Sequence, residues 1–493
     1  MPKRGLITAG LAALALGGCA VGPNFHTPAP PSVSGYTREP LPATTGAADV
    51  AGDAQTFVQN RDLPGQWWTL YQSPALNALV ERALKANPDM KAAQAALRAA
   101  RETYYAQRAA LWPTVSAGYN IQRQQANGTL APPLASNNDL FTLNTAQLSI
   151  AYTADVFGGL RRQTESVRAQ AEAQRFQTEG VYLTLITNVV NTAIQVAMLR
   201  DQVAATRAII ESDSEVLEIM RRQFAFGEIG RGDVVAQEAA LAQAKQTLPP
   251  LEKQLALAED LIADLTGRFP SETPADEISL ASLTLPADLP ISLPSTVVRQ
   301  RPDIRAAQAN LHAASAQVGV AEAARWPSLQ IEANAGSAAL RLAPQFNTVS
   351  NFWSVAATLT QPIFEGGTLL HRQRAAEAAY DQAAQQYQAT VVGAFQNTAD
   401  VLHALWTDAD ALRANEAAAE AADASLDIAR RQLGLGDLSR LAVLSAEQTD
   451  AQARLALLQA RANRYADAAA LFQALGGGWW NDAAARPAAK PAP

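Results

Sequence analysis

The sequence predicts a duplicated α+β membrane protein, in which paired strands alternate with very long helices. One stretch occurs twice, from Asn87 to Pro113 and from Arg301 to Pro327, 214 positions later, with 13 of 27 paired positions identical. Each copy is followed by residues that alternate between apolar and polar, and then by a proline-free run of about 66 residues. These observations indicate two copies of one strand-and-helix module.

The similarity between the copies continues beyond this stretch, with a period of roughly 210 residues. Phe157-Gly158-Gly159 has a counterpart in Phe364-Glu365-Gly366-Gly367, and Leu265-Thr266-Gly267 has one in Ala474-Leu475-Gly476. Solenoid repeats are only about 20 to 50 residues long, so a tandem duplication explains the pattern better. We therefore expect a first repeat over residues 66–268, a linker over 269–294 and a second repeat over 295–476.

The N-terminus predicts an exported lipoprotein. Lys3 and Arg4 precede an apolar run, residues 6–16, that is too short to span a bilayer but suits a signal peptide over residues 1–18. The run ends in Leu16-Gly17-Gly18-Cys19, which resembles a bacterial lipobox and implies acylation of Cys19, for example with palmitate. Ala20 after the cysteine implies sorting to the outer membrane. The alternative is an ordinary signal peptide with an incidental cysteine.

Composition and motif content limit the classes of protein to which this chain can belong. Residues 19–65 and 477–493 are rich in Pro, Gly and Ala, which predicts an extended, lipidated arm and a tail that is largely disordered beyond Trp479-Trp480. The net charge of -7 provides no basic footprint for nucleic acid. The four histidines stand at no metal-ligand spacing and no nucleophile motif occurs, so we expect neither an enzyme nor a metal or cofactor.

Each copy contains two segments with the period of a strand. They cover residues 114–125 and 140–156 in the first copy, and 328–340 and 352–363 in the second, with one apolar face each. Trp112 and Trp326 precede the hairpins, and Phe157 and Phe364 follow them, at the end where aromatic residues would meet a membrane interface. Small sheets packed on the helices of a soluble protein are the alternative.

Four strands with open edges cannot cross a bilayer alone, because every backbone group there needs a partner. Identical copies around one axis are the simplest source of partners. Two copies would give eight strands with an interior filled by side chains, whereas three would give twelve strands and room for a pore.

The long helices predict extended hairpins. Residues 160–226 and 368–433 would each form a helix of roughly 100 Å at 1.5 Å per residue. Both end in glycine-bearing turns that would reverse the chain into a return helix, and the glycines are Gly227, Gly230, Gly232, Gly434 and Gly436. Pro249-Pro250 should kink or break the first return helix. From the helices alone, a lipid-anchored periplasmic coiled-coil scaffold is an alternative.

Several segments resemble one family. Cys19-Ala20-Val21-Gly22-Pro23-Asn24-Phe25 is similar to the start of mature NodT-type lipoproteins of the TolC-like outer membrane efflux family, components of RND multidrug efflux systems. Trp67-Trp68, Ser73-Pro74-Ala75-Leu76, both Pro-Asp-x-x-Ala-Ala-Gln stretches and Thr360-Gln361-Pro362-Ile363-Phe364-Glu365-Gly366-Gly367 are similar to recurrent segments of that family. The resemblance implies a trimer with a 12-stranded outer-membrane β-barrel continued by a periplasmic α-helical barrel.

The resemblance also implies a function. Such proteins are passive exit ducts of tripartite pumps, carrying drugs or other toxic small molecules from the periplasm to the exterior. An inner-membrane RND-type transporter supplies the energy, and a periplasmic adaptor, or membrane fusion protein, docks at the helical turns. A type I secretion duct for polypeptides on the same scaffold is the alternative.

The resemblance finally implies a gate near the turns. Relatives often carry aspartates just after the second-copy glycine, but this chain has Ala442 and Ser445 there, so that carboxylate ring is absent. Leu441 matches an apolar constriction and Asp233 matches an acidic position of the first copy. Asp437 and Arg440 are nearby polar candidates, with a solvated helix surface as the alternative for these side chains.

Overall fold

The computed structural model describes residues 20–33, 35–39, 44–45, 54–59, 61–125, 140–272 and 278–481. The chain divides into two compact units, each built from segments of both sequence repeats. The first, the sheet unit, combines Met1–Pro28, Leu97–Gln174 and Ala306–Tyr387. The second, the helical unit, combines Ala29–Ala96, Arg175–Arg305 and Gln388–Pro493. The predicted signal peptide and Cys19 lie outside the described residues.

The described residues form β-strands and α-helices in which one or two strands are followed by pairs of helices. In chain order the elements are β1 (Thr44–Thr45), β2 (Gln55–Gln59), α1 (Pro74–Ala86), α2 (Pro88–Ala109), β3 (Thr114–Gln125), β4 (Leu140–Ala154), α3 (Gly159–Ala225), α4 (Arg231–Leu265), β5 (Asp288–Ile291), α5 (Pro294–Gln300), α6 (Pro302–Ala323), β6 (Ser328–Ala339), β7 (Asn351–Thr360), α7 (Thr368–Leu435) and α8 (Arg440–Ala474). The break between α1 and α2 falls at Asn87. The Asn87 side-chain oxygen accepts a hydrogen bond from the backbone amide of Met90 and so caps α2.

The sheet unit contains an antiparallel sheet in the order β3-β4-β6-β7. Its register brings the apolar residues of all four strands onto one face, in rows such as Val115, Ile150, Ala333 and Val355. The next row on the opposite face is polar and consists of Ser116, Ser149, Asn334 and Ser354. Val115 is 63% exposed and Val355 is 66% exposed, so the apolar face has no cover within the described chain.

The two edges of this sheet are also open. Among the described residues, β3 pairs only with β4 and β7 pairs only with β6. These edge strands are 12 and 10 residues long, and one long side of each leaves its backbone donors and acceptors without a strand partner. The sheet therefore has both an uncovered apolar face and two edges available for pairing.

Helices α3 and α7 are 67 and 68 residues long. Their bounds differ by at most two residues from those that the absence of proline predicts. Within the described residues, α3 is the one helix long and apolar enough to cross a membrane by length and composition, and 67% of its apolar window is buried. Because of this burial, we assign the apolar window to the protein core.

The return helix α4 corrects one expectation. It is a single helix from Arg231 to Leu265 that includes Pro249 and Pro250, so of the predicted kink or break, the break does not occur. Both prolines are exposed, and so are Lys245 and Gln246, whose carbonyls lose their helical partners. Water can satisfy these carbonyls, which lowers the cost of keeping the helix continuous.

A second sheet and a large core lie in the helical unit. β1 pairs antiparallel with β2, and β2 pairs parallel with β5. β2 lies in the predicted extended arm and β5 in the predicted linker, so their pairing joins these two segments. Beside this sheet, Trp67 stacks on Phe472 with ring centroids 5.2 Å apart.

The first residues of the predicted tail, up to Asn481, make defined contacts. Trp479–Asn481 forms a 3₁₀ turn, and the Trp479 indole donates to the backbone oxygen of Gln300 at 2.8 Å. The Trp480 indole donates to the carboxylate of Asp62 at 3.0 Å. The first residues of the tail therefore belong to the ordered protein, and residues 482–493 lie outside the described residues.

Candidate functional site

The two helical turns share one backbone geometry. After α3, the amide of Gly227 donates to the oxygen of Phe224 and that of Glu228 donates to Gln223. After α7, Gly436 donates to Leu433 and Asp437 donates to Gln432 in the same pattern. This is the Schellman ending, whose first residue after the helix takes a positive φ, and φ is 75° at Gly227 and 81° at Gly436. These two glycines are therefore the ones that reverse the chain.

The other predicted turn residues have different positions. Gly230, Gly232 and Gly434 do not have a positive φ, and Gly434 still belongs to α7. The Asp233 carboxylate accepts a hydrogen bond from the backbone amide of Gly230 at 3.2 Å and so caps the start of α4. Asp437 is exposed at the second turn. The structure thus gives Asp233 a capping contact, and its assignment to a gate stays a prediction.

Leu441 lies one residue inside α8 and is 65% exposed. It lines a cleft of about 750 Å³ between the return helices α4 and α8 of the helical unit. Small side chains such as Ala240 and Ala244 on α4 and Ala442 on α8 line the same cleft. Because these side chains are small, the space between α4 and α8 is not filled close to the turns.

Arg440 connects the two return helices. Its guanidinium donates to the side-chain oxygen of Gln237 at 3.2 Å, and Gln237 is fully buried on α4. Gln237 in turn donates to the backbone oxygen of Asp213 at 3.2 Å. On α8, Arg440 also lies 3.7 Å from the carboxylate of Glu447. The contacts form a polar network that links the first helical hairpin to the second.

Burial raises the pKa of Asp213, and the negative charge of Glu447 raises it further. The hydrogen bond from Gln237 and the charges of Arg440 and Arg430 oppose this rise. The network therefore carries a carboxyl group that is more readily protonated than an ordinary aspartate.

One ion pair of this region occurs in both repeats. Arg221 pairs with Glu238 at 2.9 Å across the first hairpin, and Arg430 pairs with Glu447 at 3.1 Å across the second. In each pair the two residues are 17 positions apart in sequence. The repeated Arg-Arg-Gln segments and the later acidic residue are visible in the sequence, so this pair could have been found there. Gln237 offered no such signal.

Two of the predicted interface aromatics contact each other. Phe157 stacks on Trp326 in the sheet unit, with ring centroids 5.2 Å apart and planes inclined by 18°. Trp112 and Phe364 are 69% and 88% exposed. All four lie at the ends of the strands where the chain passes to or from a long helix. Aromatic residues are enriched at the boundary between a bilayer and water, and the assignment of these four to such a boundary stays a prediction.

The segment that follows Cys19 is bound to the sheet unit. The amide of Val21 donates to the backbone oxygen of Phe157 at 3.1 Å. The buried Arg162 donates to the carbonyl oxygens of Val21 and Gly22 and to the Asn24 side chain. The contacts hold residue 21 at the strand ends, two residues after the predicted lipidation site.

The sequence matches the outer membrane efflux protein family over residues 79–268 and 293–477. The pyoverdine export outer membrane protein OpmQ of Pseudomonas putida is 30% identical over 457 residues, covering 91% of this chain and 96% of that protein. The toluene efflux pump outer membrane protein TtgC, from another strain of Pseudomonas putida, is 28% identical over 478 residues, covering 97% and 96%. The outer-membrane channel OprN is similar in structure, with a TM-score of 0.82 and 27% identity over 94% of this chain and all of the OprN chain.

The chain belongs to the outer membrane efflux protein family. It is an outer-membrane channel component of efflux pumps, and the α+β fold class predicted from the repeats is confirmed. The family predicted from the segments around Cys19, Trp67 and Gly366 is confirmed as well. The residues assigned to lipidation, docking and the gate stay predictions, as do the domain boundaries.

Proposed function

We propose that three copies of this chain assemble around one axis into a 12-stranded β-barrel. The observation that supports this most strongly is the four-stranded sheet, with one continuous apolar face and two open edges. Pairing β3 of one copy with β7 of the next would satisfy both edges of every sheet and close the barrel. The apolar rows would then face lipid, and the polar rows would line a water-filled interior.

The assembled channel is a passive exit duct for drugs or other toxic small molecules. OpmQ is named for pyoverdine export and TtgC for toluene efflux, which favours small solutes over polypeptides as cargo. The energy comes from an inner-membrane RND-type transporter. A periplasmic adaptor docks at the turns that contain Gly227 and Gly436, because these are the exposed ends of both hairpins. Conduction rather than chemistry is the activity of this chain.

The gate lies where α4 and α8 begin. A threefold ring of Leu441 would narrow the duct with apolar side chains, and apolar constrictions close narrow pores by excluding water. The contact of Arg440 with Gln237 holds the second hairpin against the first in the closed state. Docking of the adaptor separates the hairpins by breaking this contact.

Single-channel recording tests this function. The purified mature protein, reconstituted in planar bilayers, should open in discrete steps of one conductance. A mock purification from cells without the gene is the control. A protein that stays folded in detergent, but forms no channel over the whole voltage range, would contradict the proposal.

A further inference from the structure

A second cavity lies at the strand ends of the sheet unit. It measures about 580 Å³, and the residues that line it include Phe157, Glu322, Arg325, Trp326, Gln361 and Gln373. α6 ends at Ala323, β6 begins at Ser328 and β7 ends at Thr360, so the cavity opens where strands meet helices. The stacked pair of Phe157 and Trp326 forms one of its walls.

Two opposite charges line this cavity without pairing. The Arg325 guanidinium makes one side-chain hydrogen bond, from Nη1 to the side-chain oxygen of Gln373 at 2.5 Å. Within the described part of the chain, the Glu322 carboxylate forms neither an ion pair nor a hydrogen bond, although Arg325 is only three residues away. A guanidinium carries five N–H donors, so most of the Arg325 donors have no partner among the described residues.

The surrounding groups are fixed by hydrogen bonds. The Gln361 amide donates to the backbone oxygens of Arg325 and Pro362, at 3.1 and 2.9 Å. The Gln373 amide donates to Glu377 at 3.0 Å. The contacts join the end of β7 and the start of α7 to the Arg325 segment, so the charged groups stand on a preorganised frame.

The apolar face of the sheet begins two residues from the cavity lining, since Leu329 follows Pro327 by two positions and Leu359 precedes Gln361 by two. The row nearest to it contains Leu329 opposite Leu359, and Leu359 is 69% exposed. In a membrane-inserted barrel, this row is where the hydrocarbon region begins and the cavity lies at the level of the lipid headgroups. The helices extend into the periplasm, so this level belongs to the periplasmic leaflet, which consists of glycerophospholipids.

We propose that this cavity binds the headgroup of a zwitterionic glycerophospholipid with a primary ammonium, phosphatidylethanolamine. Arg325 donates to the phosphate, because a guanidinium presents paired N–H groups that match phosphate oxygens. Glu322 accepts from the ammonium, and the acyl chains lie along Leu329 and Leu359. The site rests on the proposed barrel, since it requires the strand ends to lie at a bilayer surface.

Native mass spectrometry of the mature, detergent-purified protein tests the site. Phosphatidylethanolamine, phosphatidylglycerol and phosphatidylcholine are added separately, and the lipid retained per chain is measured. We expect the wild type to retain phosphatidylethanolamine best. Arg325→Gln should reduce retention of all three lipids, whereas Glu322→Gln should lower the preference for phosphatidylethanolamine over phosphatidylglycerol by about fivefold or more.

Arg413→Gln is the matched control, because Arg413 is exposed on α7 in the helical unit and does not line the cavity. Equal retention of the three lipids by the wild type, or no effect of Glu322→Gln on the preference, would overturn the proposal. These outcomes leave the channel itself intact, and single-channel recording of each variant verifies this. A protein that forms no channel and retains no lipid would instead contradict the barrel as well as the site.

Discussion

Arg464 is a buried guanidinium that joins three segments of the helical unit. It is 3% exposed, and it donates to the backbone oxygen of Leu405 at 2.7 Å and to the Thr45 hydroxyl at 3.0 Å. Asp467 lies one turn further along α8. Burial and the neighbouring Asp408 carboxyl raise the pKa of Asp467 to about 7, although the charge of Arg464 opposes this. The helical unit therefore contains a half-buried carboxyl group that holds its proton up to about pH 7.

This raised pKa predicts a loss of stability with rising pH. The unfolded chain releases the proton near the ordinary aspartate pKa, whereas the folded chain keeps it up to about pH 7. Stability should therefore be highest at low pH with respect to this group, and should fall between about pH 4 and 7 by up to roughly 4 kcal/mol. Thermal unfolding of the detergent-solubilised protein at pH 5 and pH 8 measures the effect.

Asp467→Asn should remove most of this pH dependence, because an amide stays neutral throughout. Asp437→Asn is the control, since Asp437 is exposed and should leave the pH dependence unchanged. An Asp467→Asn variant whose unfolding temperature depends on pH as strongly as that of the wild type would refute this assignment.

Leu441→Ser is the residue-level test of the gate. A hydroxyl in place of the isobutyl group would let water enter the constriction, so the closed channel should pass at least about twice the ionic current. Cells should also admit more of a large antibiotic such as vancomycin. Leu435→Ser is the matched control, because Leu435 is also exposed, at the end of α7, but does not line the cleft. Unchanged current in Leu441→Ser would rule out this residue as the gate.

At the scale of elements, the turns determine where the hairpins reverse. Gly436 has φ of 81°, a conformation in which a side chain is strained, so Gly436→Ala should destabilise the second turn by about 1 to 2 kcal/mol. Gly434→Ala is a close control, because Gly434 lies within α7 and an added methyl group meets no atom within 4 Å. That variant should be neutral or up to about 1 kcal/mol more stable.

Hydrogen exchange of the amides around the second turn distinguishes the two variants. Gly436→Ala should accelerate exchange of the Asp437 amide, which donates to Gln432 in the wild type. Similar exchange rates in both variants would mean that the positive φ is not what ends α7.

The elements that could be predicted from sequence are those with long, regular patterns. The strands of the large sheet follow a period of two, and α3 and α7 contain no proline, so their positions were expected within a few residues. β2 and β5 were missed because they are only 5 and 4 residues long, and β5 also contains Pro290. Their pairing joins residues more than 200 positions apart, and such a contact has no local signal.

The site residues likewise divide into those that have a local sequence signal and those that have none. Gly227 and Gly436 were recognisable because a helix that is followed by glycine commonly ends in one backbone conformation, with the glycine at positive φ. The link from Arg440 to Gln237 could not be foreseen, since it depends on how α8 packs beside α4. Likewise Asp467 looks like any helix-surface aspartate in the sequence, and only the packing of α7 against α8 shows that it is half-buried beside Asp408.

At the scale of the whole molecule, the duplication places two hairpins side by side in one sheet. β4 of the first copy pairs with β6 of the second, which makes four strands that share one apolar face. One chain therefore supplies a third of a 12-stranded barrel, and the open edges of β3 and β7 are where neighbouring copies would join. The central claim is that three copies close this barrel in the outer membrane.

The native mass and solubility of the mature chain with Cys19→Ser test that claim most directly. The substitution removes the predicted lipid and leaves the sheet unchanged, so any remaining need for detergent must come from the apolar face. We predict an assembly of three chains that stays in solution only with detergent. A monomer or dimer that is soluble in water alone would contradict the account, because its strands would then have no place in a bilayer.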